Sequence, residues 1–297
     1  MTMIPCPPPD FSPRTPSTVF PAGATDCHAH VFGPAERYPY DGGRSYTPPD
    51  ASLEAYRHML DTLGVQRAVL VQPSVYGEDN RAHLDALAEA GPDFRMVAVV
   101  GPGVADAELE AMHAAGVRGV RLNVVNRMGI GPDTLDLDNL DRLAQRLKAL
   151  GWHIQVFADP EVLAASETRL ARLPIPLVID HMGHLPGDAG LAHPGGQALL
   201  RLVRGGNTWV KLSGAYRVSA FPTPPFADVV PIAQGLIEAN PDRMVWGTDW
   251  PHPVVNDRPM PNDGDLADLL ADWASDENLR QRILVDNPAR LYDFPPL

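Results

Sequence analysis

The chain has 297 residues, 44% of them hydrophobic, which is enough to bury the core of one large domain or of two small ones. Its formal net charge of −13 argues against nucleic acid or an anionic membrane as the main partner, although a small anion in a local basic pocket remains compatible with it. The sequence contains neither a secretory signal nor an apolar run of membrane-spanning length, so we expect a cytoplasmic protein.

The first 22 residues are dense in proline, which stands at positions 5, 7, 8, 9, 13, 16 and 21. Proline lacks the backbone N–H that helices and central strands require. We therefore predict that residues 1–22 form an arm, either an extended wrap or a flexible tail. No change of composition divides the remainder, so residues 23–297 are predicted to form one domain. Cys6 and Cys27 are the only cysteines, and no disulfide framework is expected.

After the arm, apolar runs typical of strands alternate with helical patterns. The predicted strands are Ala24–Phe32, Arg67–Val75, Met96–Gly101, Gly119–Val125, His153–Ala158, Leu177–Met182, Thr208–Gly214 and Met244–Trp250. The predicted helices include Ser52–Leu63, Asn80–Ala90, Ala105–Ala115, Leu137–Leu150, Glu161–Arg172 and Phe226–Ala239, several of which end at glycine.

Eight strands alternating with helices favour a (β/α)8 TIM barrel over a doubly wound sheet. No glycine-rich turn follows the first strand, which weakens the dinucleotide-binding alternative. In such a barrel, the functional groups lie where the strands end and the following loops begin.

The first strand contains two histidines, His28 and His30, separated by one residue. Side chains alternate along a strand, so these two imidazoles are expected to share a face and Cys27 to point the other way. The pair could bind a metal or donate hydrogen bonds that polarise a substrate. The alternative is structural, with one histidine at the strand end and the other in the core.

Further polar residues interrupt the ends of the other strands, where a buried parallel sheet should be apolar. Asp249 could ligate a metal or act as a general base, and the alternative is a helix cap or a salt bridge to an arginine. Asp180 and its neighbour His181 should point to opposite faces of the strand, so Asp180 is expected to support packing between strand and helix. The polar residues predicted to meet at one mouth are His28, His30, Gln72, Ser74, Arg121, Asn123, Arg127, Gln155, His181, Ser213, Arg217 and Asp249.

Several short motifs resemble those of the amidohydrolase superfamily. They are Thr25–His30, Gly116–Arg121, Ile179–Gly183, Lys211–Gly214 and Gly247–Pro251. Together they most closely resemble the lactonase branch and, within it, the 2-pyrone-4,6-dicarboxylate lactonases. This resemblance covers nearly all of the chain after the arm. It implies the same barrel and the hydrolysis of a carboxylated lactone in the breakdown of aromatic acids.

The resemblance also bears on metal. Many members of the superfamily bind divalent cations, but strand four here offers Arg121, and strand five offers Gln155 and Phe157 where a histidine is expected. We therefore predict that no metal is required. The imidazoles of His28, His30 and His181 would polarise the lactone carbonyl while Asp249 activates water. These four residues are also the set that could hold one divalent ion such as Zn²⁺.

Arginine matches carboxylates in bidentate geometry, so arginines in one pocket of an acidic protein indicate an anionic substrate. Arg121, Arg127 and Arg217 match the carboxylate-binding positions of the dicarboxylate lactonases, and some of them could instead form surface pairs. By the same resemblance, Ser74 and Tyr46 are expected to contact substrate. Phe157 stands where that family has tyrosine, which leaves the identity of the lactone open.

Other functions are also compatible with the sequence. They are a metal-dependent hydrolase or decarboxylase of the same superfamily, a lactone isomerase, and a carboxylate-binding barrel without catalysis. No sequence pattern indicates the oligomeric state.

Overall fold

The computed structural model describes residues 3–124 and 135–296. Within them, eight parallel strands follow one another around a sheet in chain order, which confirms the predicted (β/α)8 barrel. The strands are β1 Thr25–Ala29, β2 Arg67–Val71, β3 Phe94–Ala98, β4 Val117–Val124, β5 His153–Ala158, β6 Leu177–Ile179, β7 Thr208–Leu212 and β8 Met244–Trp246.

Helices lie between the strands and after the last one. Their bounds are α1 Leu53–Leu63, α2 Arg81–Ala90, α3 Asp106–Ala115, α4 Leu137–Lys148, α5 Pro160–Leu170, α6 Pro194–Arg204, α7 Ala215–Val218, α8 Val230–Ala239, α9 Asp263–Trp273, α10 Glu277–Gln281 and α11 Asn287–Tyr292. A π-helical turn, Arg282–Asp286, joins α10 to α11, and short single turns occur at Ser74–Tyr76, His181–His184, Gly190–Ala192 and Pro241–Arg243.

Helix α1 shows how local sequence sets these boundaries. The hydroxyl of Ser52 accepts a hydrogen bond from the backbone N–H of Ala55 and caps the N-terminus. Gly64 ends the helix in the left-handed conformation, with φ of 76°. Tyr56 and Leu60, one helical turn apart, face the barrel and are buried.

The predicted elements differ from the structure mainly at their ends. Strand β8 ends at Trp246 and not at Trp250, and β3 begins at Phe94, two residues before the predicted start. Helices α6 and α9 were not among the predicted elements. The predicted strands run too far because the apolar runs continue past the last strand pairing into buried turns, and burial alone does not show where pairing stops.

The barrel closes where the ends of β8 and β1 meet. The backbone N–H of His30 donates to the carbonyl of Trp250 at 2.8 Å, and the N–H of Asp249 donates to the carbonyl of His28 at 2.8 Å. Below this contact, the carboxylate of Asp26 accepts hydrogen bonds from the backbone N–H groups of His28 and Thr248, each at 3.0 Å. The closure therefore holds the predicted histidine pair beside Asp249.

The register of β1 shifts between Asp26 and Ala29. Because of this irregularity, Cys27 packs in the small apolar cluster that includes Val69, Val178 and Val245 of the other strands. It does not point away from the barrel interior, so that prediction is wrong. Simple alternation fails here because an irregular strand breaks the two-residue period. Tyr292 and Phe294 from the C-terminal segment belong to the same cluster.

The proline-rich arm runs along the barrel surface as an extended wrap. Ile4 forms a bridge with Tyr46 in the loop after β1. The guanidinium of Arg14 pairs with Asp265 and Asp268 of α9 at 2.8 and 2.6 Å. None of the helices in the described ranges is long and apolar enough to cross a membrane.

A substitution at Gly247 would test how tightly the backbone packs where the barrel closes. A Cβ at this position would lie 2.8 Å from the backbone nitrogen of His28, closer than packed atoms allow. We expect Gly247→Ala to lower the free energy of unfolding by about 1–3 kcal/mol, since overpacking forces backbone shifts. Urea unfolding measures this. Gly103→Ala is the control because a Cβ there meets nothing within 4 Å. Equal stability of the two variants would contradict the prediction.

Candidate active site

A cavity of about 490 Å³ opens at the ends of the strands where the sequence predicted the site. Most of the predicted site residues line it. They are His30, Tyr46, Ser74, Arg121, Asn123, His181, Arg217 and Asp249, together with Phe157. His28 is fully buried beside Asp249, and Arg127 lies outside the described residues.

Three imidazoles surround one oxygen of Asp249. The Nε2 atoms of His28, His30 and His181 lie 3.8, 3.8 and 3.9 Å from Asp249 Oδ1. Within the described residues, neither His28 Nε2 nor Asp249 Oδ1 has a hydrogen-bond partner. Buried polar atoms are normally paired, so this arrangement provides polar atoms for a group that binds between them.

The backbone places two of these side chains by unusual turns. His181 and Asp249 follow the ends of β6 and β8 with φ of 48° and 66°, in the left-handed region. Residues other than glycine seldom adopt this conformation, and they cluster at functional sites where surrounding contacts maintain it. The turns explain why His181 and Asp180, which precedes it, both reach the interior despite being adjacent.

The second ring nitrogen of each histidine determines what its Nε2 can do. His30 Nδ1 lies 2.6 Å from the carbonyl oxygen of Val71, which only accepts, so Nδ1 carries the proton and donates. Burial, followed by the charges of His28 and Arg121, lowers the pKa of His30 well below its ordinary value, which keeps the ring neutral. Its Nε2 is therefore an acceptor, and it does not fit the predicted role of polarising a carbonyl.

His181 has a different environment. Its Nδ1 lies 2.9 Å from the hydroxyl of Ser213, which can donate and thereby leave the proton on Nε2. Burial lowers the pKa of His181 well below its ordinary value, so this ring is also neutral. A neutral imidazole with a proton on Nε2 can donate a hydrogen bond to a substrate oxygen.

The other oxygen of Asp249 is fully engaged. Arg217 Nε donates to Oδ2, and the hydroxyl of Tyr216 donates to the same oxygen at 2.5 Å. Burial acts to raise the pKa of Asp249, but the opposing effect led by the positive charge of Arg217 holds it well below its ordinary range. Asp249 is therefore a carboxylate, with one oxygen anchored and the other facing the imidazoles.

Asp180 is the centre of a second buried cluster, so the prediction that it supports packing between strand and helix is wrong. Its Oδ2 accepts hydrogen bonds from Arg121 Nε and Gln155 Nε2, each at 3.1 Å. Its Oδ1 lies 3.3 Å from His28 Nδ1 and 3.7 Å from Lys211 Nζ. The alternation of side chains along a strand placed Asp180 on the face opposite to His181, because the strand was expected to continue to Met182. In the structure, β6 ends at Ile179.

Lys211 and Tyr216 are site residues that the sequence analysis missed. Lys211 donates to Gln155 Oε1 at 2.7 Å and lies 3.3 Å from His28 Nδ1. Burial lowers its pKa to about 8. Lys211 begins the motif Lys211–Gly214, and a lysine inside an apolar strand was the signal that could have identified it.

The predicted substrate-binding side chains within the described residues line the cavity, but both of the arginines among them are already paired. Arg121 pairs with Asp180, and Arg217 pairs with Asp249. Phe157, which replaces the family tyrosine, places its ring against His181 and under the guanidinium of Arg121, 5.0 and 5.5 Å away. It gives this wall of the cavity an apolar ring without a hydroxyl.

The donor atoms fit one divalent cation. His28, His30 and Asp249 offer ligand atoms within 4.8 Å of one another, and His28, Asp180 and His181 form a second such group. Imidazole nitrogens and a carboxylate oxygen are ligands that zinc accepts. The protonated Nδ1 of His30 leaves its Nε2 suited to ligation.

The Asp180 cluster leads to a stability prediction. Asp180→Asn leaves Arg121 and Lys211 buried without their carboxylate, and breaking such a pair costs about 3–5 kcal/mol. We expect a loss of that size in urea unfolding. Asp106→Asn is the control, because its pair with Arg146 involves an aspartate side chain that is 80% exposed and should contribute less than about 1 kcal/mol. A loss at Asp180 no greater than at Asp106 would rule out the structural role.

Comparison with known proteins agrees with this geometry. The chain is 41% identical over 275 residues to 4-sulfomuconolactone hydrolase of Hydrogenophaga intermedia, covering 92% of this chain and 90% of the relative. It is 40% identical over 291 residues to a 2-pyrone-4,6-dicarboxylate hydrolase of Comamonas testosteroni, covering 95% and 93%. A D-galactarolactone isomerase of Agrobacterium fabrum is 32% identical over 290 residues, covering 97% of each chain. The family model for amidohydrolases matches residues 25–294, and the chain therefore belongs to the amidohydrolase family.

Proposed function

We propose that this protein is a lactone hydrolase that opens a carboxylated lactone, such as 2-pyrone-4,6-dicarboxylate, with water. The observation that carries the proposal is the set of three imidazole Nε2 atoms within 3.9 Å of Asp249 Oδ1 at the floor of an arginine-lined cavity. Two relatives at 40% and 41% identity bear the names of lactone hydrolases, which supports the same chemistry. We place the reaction in the breakdown of aromatic acids. The cytoplasmic location stays a prediction.

Asp249 is the proposed general base. Its Oδ1 has no hydrogen-bond partner in the described residues, and Arg217 and Tyr216 fix the carboxylate by its other oxygen. A water molecule between Oδ1 and the imidazoles would lose its proton to Asp249 as its oxygen attacks the lactone carbonyl. When the ring C–O bond then breaks, the protonated Asp249 would return that proton to the leaving ring oxygen, which regenerates the carboxylate. His30 Nε2, an acceptor, would hold the second hydrogen of that water.

The lactone carbonyl needs a donor that stabilises the negative charge formed on its oxygen. We assign this role to His181, whose Nδ1 faces the Ser213 hydroxyl and whose Nε2 can carry the proton. Lys211 Nζ and Asp180 Oδ1 both lie 3.3 Å from His28 Nδ1, and His28 adds a second donor in the tautomer whose Nδ1 accepts from Lys211 and whose Nε2 carries the proton. All three predicted histidines thus have a role, with that of His30 revised.

Substrate carboxylates would bind the N–H groups of Arg121 and Arg217 that face the cavity. Each guanidinium uses its Nε for a buried aspartate and retains other donors. Ser74 and Tyr46 line the same space and are proposed to contact substrate. By the family resemblance, Arg127, which lies outside the described residues, is proposed to join them.

We propose that this reaction does not require a metal. Asp249 is already neutralised by Arg217, and the neighbouring cluster contains Arg121 and Lys211. Three cationic side chains beside the ligand atoms weaken the attraction for a dication. His28, His30 and Asp249 would nevertheless be the residues that hold one, and a bound cation would polarise the carbonyl or the water.

Lactone isomerisation is a second candidate, because one relative is named as an isomerase and moving an acyl group between hydroxyls uses the same polarised carbonyl. Hydrolysis and isomerisation can be distinguished by their products. Hydrolysis releases a new carboxylic acid and consumes base in a pH-stat, whereas isomerisation does not. Carbon dioxide release would instead indicate a decarboxylase.

The proposed base leads to a direct test. We expect Asp249→Asn to lower kcat for lactone opening by about 10²- to 10⁴-fold, because the amide cannot take the proton. Loss of pyrone absorbance measures the rate, and calorimetric binding of pyridine-2,4-dicarboxylate verifies that the variant still binds an anion. Asp61→Asn, at an exposed position of α1, is the control. A variant that binds and turns over normally would exclude Asp249 as the base.

Metal removal is the second test. After chelation and dialysis, we expect the protein to contain well below one divalent ion per chain and to keep its lactonase activity. Elemental analysis and the absorbance assay on the same sample decide the matter. Activity that disappears with the metal and returns with zinc or manganese would overturn the metal-free proposal and leave lactone hydrolysis intact.

A further inference from the structure

A further arginine, Arg44, lines the same cavity as Asp249 and His30. It belongs to the long loop between β1 and α1 and was not among the predicted site residues. Its side chain is partly buried at the cavity mouth. Arg44 therefore lies on the wall of the cavity that also contains His30 and Asp249.

The guanidinium of Arg44 is held on one side only. Its Nε donates to the hydroxyl of Thr47 at 2.9 Å, and its Nη1 donates to the backbone carbonyl of Asp41 at 3.0 Å. It also lies 5.8 Å from the centre of the Tyr40 ring. Among the described residues, Nη2 of Arg44 has no hydrogen-bond partner. The head group is thus oriented by its own loop and retains two N–H donors.

Charge pairing distinguishes Arg44 from the two arginines below it. Arg121 pairs with Asp180, and Arg217 pairs with Asp249, so each is neutralised by a buried carboxylate. In the part of the chain that the structure describes, Arg44 forms no ion pair with a carboxylate side chain. A lining cation without a counter-ion is suited to an anion supplied by a ligand.

The mouth would otherwise be unfavourable for an anion. The carboxylates of Asp41 and Glu78 line the same cavity, and the whole chain has a net charge of −13. The side chain of Asp41 accepts from the backbone N–H of Gly43, which directs it to its own loop. A substrate with an outward-facing acidic group therefore needs a positive charge at this point to offset repulsion.

We propose that Arg44 binds the second acidic group of a dianionic lactone at the cavity mouth and thereby selects dianionic over monoanionic substrates. This inference rests on the proposed lactonase function and deepens it. Arg121 and Arg217 bind the acidic group nearer the reacting carbonyl, and Arg44 binds the distal one. Both carboxylates and sulfonates have the charge and the oxygen atoms that this guanidinium accepts.

The test uses ligands that do not react, so that it does not depend on turnover. Calorimetry measures the binding of pyridine-2,4-dicarboxylate, pyridine-2-carboxylate and pyridine-4-carboxylate to the full chain and to the variants Arg44→Met and Arg44→Lys. Arg37→Met is the matched control. Arg37 lies in the same loop as Arg44, but it pairs with Asp85 at the surface and does not line the cavity that contains Arg44. Circular dichroism verifies folding.

We expect Arg44→Met to weaken binding of the dicarboxylate about tenfold while at least one monocarboxylate changes by less than about twofold. Arg44→Lys should recover part of the loss, and Arg37→Met should match the wild type. Unchanged dicarboxylate binding in Arg44→Met, or an equal loss for all three ligands, would overturn the proposal. If the wild type opens no lactone while this binding pattern is observed, the proposed lactonase function is wrong. The proposed role of Arg44 in selecting dianionic ligands would still be supported.

Discussion

Two buried carboxylates, Asp180 and Asp249, stay ionised inside the barrel, and the site depends on how this is achieved. A buried charge is tolerated only when it is paired and hydrogen-bonded. Asp249 is paired with Arg217 and also bound by Tyr216, while Asp180 is paired with Arg121 and bound by Gln155. Each pair leaves one carboxylate oxygen directed at imidazole nitrogens. The arginines therefore have two tasks, since they keep the aspartates charged and present their other N–H groups to the cavity.

The barrel closure gives these pairs their relative positions. Asp26 accepts hydrogen bonds from the backbone of His28 on β1 and from the backbone and hydroxyl of Thr248 beyond β8. Tyr56 of α1 donates to the same carboxylate at 2.9 Å. First and last strands are thus joined next to His28 and Asp249, two of the proposed catalytic groups. Because His28 and Asp249 are separated by the whole length of the barrel in sequence, only this closure brings them within 3.8 Å.

Much of this could be predicted from local patterns. The alternation of strands and helices indicated the barrel, and the rule that polar residues at strand ends meet at one mouth placed His30, His181, Arg121, Arg217 and Asp249 correctly at one cavity. Predictions based on strict alternation were less successful. Cys27 and Asp180 both lie inside because β1 is irregular and β6 is short. Parity holds only while a strand remains regular, and a functional strand end is where that regularity stops.

Local patterns in the chain were enough to predict the fold class, the polar residue types at the strand ends and the family resemblance, because hydrophobic periodicity and short motifs depend only on neighbouring residues. Only the folded chain shows which arginines are already neutralised and which nitrogen of His30 carries its proton. It also shows that Lys211 and Tyr216 contact His28 and Asp249 and that Arg44 lines the cavity. These facts depend on distances between strands that are remote in sequence. Charge pairing and tautomer choice are set by the partner that each group meets in the folded chain, and no local pattern specifies that partner.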